Sequence, residues 1–191
     1  MAAYDQLDRE VAAFQLRSGL RCLTGCGSCC PHAPVQATVL EMLPAAHAIL
    51  LRGQGDAWLE RSTSRQTLGA NCVLYNADAG PQSQGHCDFY TRRPMVCRLF
   101  GFAAVRDKKR QKKLAVCKIL KKNSPGEAAA AIALEAEAPC FSEAAARIYG
   151  LKPDLGAGLL PINAALYQAI VHLGLRMQLG QSQSLGDTTA A

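Results

Sequence analysis

Four thiols fall within nine residues of one another, in Cys22-Leu-Thr-Gly-Cys26-Gly-Ser-Cys29-Cys30. Free cysteine ordinarily packs as a small hydrophobe spread through a core. Four of them gathered in one Gly-rich stretch do not fit that use. Thiolates crowded on a single loop repel one another unless positive charge sits among them, so the stretch calls for a metal ion, an iron–sulfur cluster or disulfides. Further along, Cys72, Cys87, Cys97 and Cys117 offer more sulfur donors. Cys140 follows Pro139 at a helix start, far from the rest, and reads as packing.

The spacing narrows the chemistry. Zinc takes four donors in a tetrahedron, with Zn–S near ~2.3 Å. Iron–sulfur clusters are also ligated by four cysteines, often three from one loop and one from afar. Cys22-x3-Cys26-x2-Cys29 with a remote cysteine fits the second pattern better. Zinc ribbons pair two C-x2-C knuckles, and here only Cys26-Gly-Ser-Cys29 resembles one. Adjacent Cys29 and Cys30 point in different directions, so they do not serve one face equally. The candidate donors are therefore Cys22, Cys26, Cys29, Cys30, Cys72, Cys87, Cys97 and Cys117, enough for one site with spares or for two. A buried centre of thiolates carries net negative charge and needs compensation. Arg93 and Arg98, with Arg92, bracket Cys97 and can supply it at the cofactor; the plainer reading is of solvated arginines on a helix start.

The remaining candidates have ordinary explanations. His32 and His86 each stand close to a cysteine, but read as solvent-exposed loop histidines; His47 and His172 fall on helices without a partner pattern. Tyr75, Phe89, Tyr90, Phe100 and Phe102 can shield a centre from water and are equally a small hairpin core. Net charge is +6, and residues 106–122 alone carry +8 (nine Lys or Arg against Asp107), leaving −2 elsewhere. Such a run can bind nucleic acid or an anionic surface. It lacks interleaved aromatics and reads as a solvated hairpin tip. No paired-carboxylate site, Ser/His/Asp set or phosphate loop is present to support hydrolase or kinase chemistry.

The elements that must position these thiols follow from periodicity. Tyr4, Leu7, Val11, Phe14 and Leu16 space out a first amphipathic helix ended by Gly19. Thr38-Val-Leu-Glu41 opens a second with a capping box; Pro44 should kink it or restart it, and Gly53 stops it. Asp56 to about Arg65 is a weaker helix carrying Trp58. Cys72-Val-Leu-Tyr75 and Cys87-Asp-Phe-Tyr90 read as two short strands, each beginning with a thiol, joined by an irregular loop. Pro94 opens a short helix bearing Cys97. Phe102–Val105 and Leu114–Cys117 form a second hairpin, Ser124 starts a helix to about Glu137, Ser142–Tyr149 is another, and Ile162 to about Gln178 is the last. The expected fold is mainly α with small β-hairpins: a single compact domain over 1–179 built around a Cys-ligated metal centre, then a disordered tail at 180–191. At 191 residues the core is large enough to need no staples.

At these residues the sequence resembles the CxxCxxCC cysteine-cluster proteins, the YkgJ-like zinc- or iron-chelating domains. The resemblance rests on Cys26-Gly-x-Cys29-Cys30, Cys72-x-Leu-Tyr75 and Cys87-x-Phe-Tyr90-x-x-Arg93-Pro94-x-x-Cys97-Arg98-x-Phe100, and covers about Cys22 to Cys117. Leu160-Pro-Ile-Asn-Ala-Ala is similar to the family's closing helix. The first spacing here is C-x3-C rather than C-x2-C, which sets Cys22 apart as an equivalent ligand. The resemblance implies a bound metal centre, iron–sulfur or zinc, and little about reaction; some larger proteins with a similar domain are flagellin lysine methylases. C-x3-C-x2-C is also the radical-SAM spacing, but the chain is too short for their barrel and lacks strand–helix alternation.

Three functions follow as expectations. The first is an iron–sulfur protein, with a 4Fe–4S centre, used for electron transfer, sensing or metal handling with a redox or protein partner. The second is a structural zinc protein whose basic hairpin, Arg106–Lys122, contacts nucleic acid or a protein. The third is an enzyme related to the cysteine-cluster methylases. The acidic N-terminus lacks an apolar signal core and no run reaches membrane-helix length, so a cytoplasmic monomer without membrane contact is expected. A reducing compartment, and the odd count of nine cysteines, disfavour a disulfide framework.

Overall fold

The computed structural model describes residues 2–22, 27, 29–31, 35–66, 70–77 and 85–186, with side chains as far as residue 179. Helix α1 (Ala2–Ser18) buries Tyr4, Leu7, Val11 and Phe14 along one face, as their three- and four-residue steps require. Leu16 is not on that face and is 74% exposed. Ser18 Oγ donates to Phe14 O at 2.8 Å, and Gly19 turns the chain away with φ +71°.

Helix α2 (Val39–Leu51) begins with the expected box: Thr38 Oγ1 accepts the Glu41 N–H, and the Glu41 carboxylate accepts the Thr38 N–H. It runs through Pro44 without interruption, giving up one ladder bond there. Helix α3 (Gly55–Thr63) and the long α9 (Ile162–Gly186) pack with α2. Met42, Ile49, Trp58, Leu166 and Ile170 form the centre of that layer. Strand β1 (Gln36–Ala37) pairs antiparallel with β6 (Leu160–Pro161), tying the entry of α2 to the entry of α9.

A second apolar cluster gathers Leu7 and Phe14 of α1 with Leu99, Phe102, Leu120 and Ile148. Leu99, Leu120 and Ile148 lie on the short helices α4 (Met95–Leu99), α5 (Lys118–Asn123) and α7 (Phe141–Tyr149), Phe102 follows α4, and α6 (Pro125–Ala133) adds Ala128 and Ala131; α8 (Pro153–Gly156) precedes β6. Two small antiparallel hairpins complete the fold, β2 (Tyr75–Asn76) with β3 (His86–Cys87) and β4 (Ala104–Arg106) with β5 (Lys112–Leu114).

Glu41 joins the two clusters. It is 1% exposed, and besides the cap of its own helix it bonds to α1, α4 and α7. Oε1 accepts the Met95 N–H at 3.1 Å, and Oε2 accepts the Thr38 N–H at 2.8 Å and the Tyr149 hydroxyl at 3.2 Å. Tyr4 donates to its backbone carbonyl. Burial raises its carboxyl above the ordinary 4.5, with the Thr38 hydrogen bonds opposing.

The mainly helical fold with small hairpins is as expected; several boundaries are not. Cys72 does not begin a strand but lies in the turn before β2, and Cys87 ends β3 rather than opening it. Cys117 does not close β5; it stands three residues beyond it and caps α5, a helix the periodicity does not announce. The strands are only two or three residues long, so each thiol is held by turns and caps as much as by ladders. Helix α9 continues to Gly186, past the expected end near Gln178 and into the stretch expected to lack structure. The run after Met177, built of Gln, Ser and Leu, holds Gly180 inside the helix, which a helix tolerates at modest cost, and Gly186 at its end.

Candidate metal centre

The Cys29–Cys30 turn is held first by its own backbone, with the Cys30 N–H donating to Gly27 O at 2.9 Å. Gly27 then brings the turn against the β2–β3 hairpin. A Cβ at this residue would lie 2.5 Å from Gly85 O and 2.7 Å from Tyr75 Cε2, so only glycine permits the approach. Gly85 itself has φ +69° and lies against the Tyr75 ring. Beyond the turn, the Ile162 N–H donates to Val35 O at 3.0 Å, continuing the β1–β6 pairing.

Cys72 is fixed from α9. Asn163, 1% exposed, accepts the Val73 N–H at 2.9 Å through Oδ1 and donates through Nδ2 to Arg65 O at 2.7 Å and Asn71 O at 3.0 Å. The Tyr75 N–H closes the turn onto Cys72 O at 3.0 Å. Cys87 faces Tyr75 across the hairpin. Cys97 lies in α4, where Pro94 serves as N-cap and its carbonyl accepts the Cys97 N–H at 3.1 Å.

Together these segments line one cavity of about 60 Å3, walled by Cys29, Cys30, Cys72, Cys87 and Cys97 with His86, Arg93 and Ile162 among the other residues. Their electrostatics report the same convergence. The Cys30 thiol donates to Cys29, and with Arg93 nearby Cys29 is drawn down from 9 to about 6. Cys30, the donor in that bond and half-buried, is pushed up. Burial raises Cys72 to about 12, with Cys87 and Cys29 adding to the rise. Burial also raises Cys87 and Cys97; Cys29 reinforces both shifts and Arg93 opposes them. The wall thus favours the thiolate at Cys29, while burial and mutual repulsion favour the protonated thiol at Cys72, Cys87 and Cys97. A cation entering the cavity reverses that balance, because a metal ligand must be the thiolate.

Arg93 provides the standing positive charge. Its Nε donates to Tyr90 O at 2.9 Å and its guanidinium lies 3.4 Å from the centre of the Tyr90 ring. Arg98 is used differently. Its guanidinium pairs with Asp8, donates to Thr91 O at 2.5 Å and to Arg93 O at 2.8 Å, and stacks on Tyr4. Arg98 thus staples the loop that carries Arg93, and its charge is answered by Asp8. His86 departs from expectation: it is a half-exposed strand residue beside Asp88, and it lines the cavity rather than a solvent loop. Tyr75, Tyr90 and Phe100 line the cavity as well, whereas Phe89 packs edge-on against Trp58.

Cys22 and Cys117 do not reach this cavity. They line a neighbouring one of about 310 Å3 together with Cys29 and Cys97. Cys26 and His32 lie outside the described residues. Cys140 is 2% exposed beside Ser142 and borders neither cavity, as its reading as packing requires. Among the described residues no three His, Cys, Asp or Glu side chains are drawn close enough to hold an ion as they stand, so the thiols form a wall rather than a closed cage. The donor chemistry nonetheless suits zinc or iron: the donors are mostly soft sulfur, they come from separate elements, and a guanidinium stands beside them. Asn163 and Ile162 appear in the sequence reading only within the closing helix, which gives neither of them a role at the cavity. A lone asparagine in the otherwise apolar opening of α9 is the signal that could have found the first.

A small helical protein with a cysteine-walled cavity beside the α2–α3–α9 apolar cluster is the class that fold and site define. The chain belongs to the CxxCxxCC family, described as "Putative zinc- or iron-chelating domain", whose model matches residues 21–118. No curated protein and no solved structure matches the chain. Among the described residues no helix is long and apolar enough to cross a membrane.

Proposed function

We propose that this protein binds iron as a cysteine-ligated iron–sulfur centre in the small cavity, for electron transfer, sensing or metal handling. The observation that carries the reading is the arrival of five thiols from four separate stretches at one cavity, beside a guanidinium suited to offset their charge. Cys29, Cys72, Cys87 and Cys97 would hold the group, with Cys30 as the alternative to its neighbour. The bound cluster would supply a one-electron redox site. Arg93 would lower the cost of its negative charge, and Tyr75, Tyr90 and Phe100 would limit water. A structural zinc ion is the second reading, favoured by the cavity's size of about 60 Å3, which suits a lone ion.

Protein purified without oxygen should be brown and contain iron and acid-labile sulfide. A colourless preparation with stoichiometric zinc replaces the first reading by the second. Cys87→Ser and Cys97→Ser should lose the metal and Cys140→Ser should retain it. Metal retained by the first two would end both readings of this cavity.

A further inference from the structure

The described thiols sort themselves by cavity. Cys30, Cys72 and Cys87 border only the small one, Cys22 and Cys117 border only the neighbouring one of about 310 Å3, and Cys29 and Cys97 border both. The larger cavity lies between α1, the Tyr90–Arg92 turn, α4 and the start of α5, and it also meets Asp8, Gln15, Arg93 and Arg98. Four thiols from three stretches of chain again line one space. Packing does not account for them: Cys22 is exposed and Cys117 half-buried, the opposite of cysteine used as a core filler.

We infer that the larger cavity is a second thiolate site for a borderline divalent cation such as zinc, with Cys22 and Cys117 as its own donors. This rests on the reading of the small cavity as a metal site, and adds a centre beside it across the Cys29–Cys97 wall. The donor count is consistent. Two four-coordinate ions need about eight metal–sulfur bonds, and the seven thiols on the two cavities supply them if Cys29 or Cys97 bridges. The charge is consistent too. Arg98 is already answered by Asp8, whereas Arg93, which makes no ion pair among the described residues, borders both cavities and can serve both centres at once.

The test is titration of the metal-free, reduced full-length protein with cobalt(II), followed in the thiolate-to-cobalt absorption bands and reversed with zinc. The wild type should take up two equivalents. Cys117→Ser and Cys22→Ser should each take up one and keep the bands of the small site; Cys72→Ser and Cys87→Ser should each take up one and keep those of the large site. Cys97→Ser should perturb both. Because Cys22 is exposed, its substitution tests the site even where Cys117→Ser disturbs folding. A wild type that binds one equivalent, unaffected at Cys22 and Cys117 but lost at Cys87, overturns the second site and leaves the first. One equivalent lost at Cys22 or Cys117 and indifferent to Cys87 overturns the small-cavity reading, and with it the paired arrangement.

Discussion

The α2–α3–α9 layer and the segments that carry the thiols are held together by different means. In the layer, Met42, Ile49, Leu166 and Ile170 are almost wholly withdrawn from water and meet along helices long enough to repeat the pattern. Each such side chain contributes about 1.5–3 kcal/mol by burial, and loss of one is a local injury. The thiol segments have two-residue strands and a five-residue helix. They are placed by single features: a glycine contact at Gly27, a side-chain clamp at Asn163, a buried carboxylate at Glu41. Apolar layers spread their stability over many contacts, whereas the thiol segments concentrate it in a few directional ones.

Substitutions at four positions probe that contrast. Gly27→Ala should have the largest effect on the site, because its Cβ would meet the Gly85 carbonyl 2.5 Å away. Undocking the Cys29–Cys30 turn should cost about 2–3 kcal/mol and lower metal content by more than about tenfold, while the far-ultraviolet helical signal stays intact. Wild-type metal content in this variant would remove the glycine contact from the account. Asn163→Leu leaves the Val73 N–H and two carbonyls without their partner; urea unfolding should show a loss of about 2–4 kcal/mol, and chelator should strip metal faster. Asn163→Asp keeps the acceptor for the Val73 N–H but replaces the donor to both carbonyls with a carboxyl oxygen that, when protonated, can serve one of them; measured below the carboxyl pKa it should fall between Asn163→Leu and the wild type.

Glu41→Gln should cost about 1–2 kcal/mol, since one amide cannot accept every bond the carboxylate does. Its pH dependence is the sharper readout. The folded protein holds the Glu41 proton above the ordinary 4.5, so the folded state binds more protons than the unfolded one between those two values. That contribution is full below pH 4.5 and is lost as pH rises through the folded pKa. Urea unfolding at a series of pH values should show this slope in the wild type and not in the variant. The smallest effect belongs to Leu16→Ser, on the solvent face of α1: within about 0.5 kcal/mol, with metal content unchanged.

The same contrast decides what could be read from the sequence. The helices α1, α2, α7 and α9 follow from apolar periodicity, and the Thr38–Glu41 box is legible because capping depends on neighbours in sequence. Leu16 departs from the expected face because it falls two residues after Phe14, off the three- and four-residue repeat. The thiols are legible as candidate donors by type and spacing, yet the expected strand starts at Cys72 and Cys87 and strand end at Cys117 are a turn, a strand end and a helix cap. Two-residue ladders are set by tertiary pairing, which leaves no alternation to detect. Nor could spacing assign which thiols meet, because Asn163 acts across 90 residues of chain on Val73.

The pairing of β1 with β6 bears on where this module begins and ends. A fragment cut to residues 21–118 would contain almost all the sulfur, but it would lose the strand partner of Gln36–Ala37, the asparagine behind Cys72 and the aspartate that answers Arg98. The recognisable stretch of sequence is thus an insert seated in a frame supplied by the segments that precede and follow it. Grafting it into another host would transplant the donors without the scaffold that aims them.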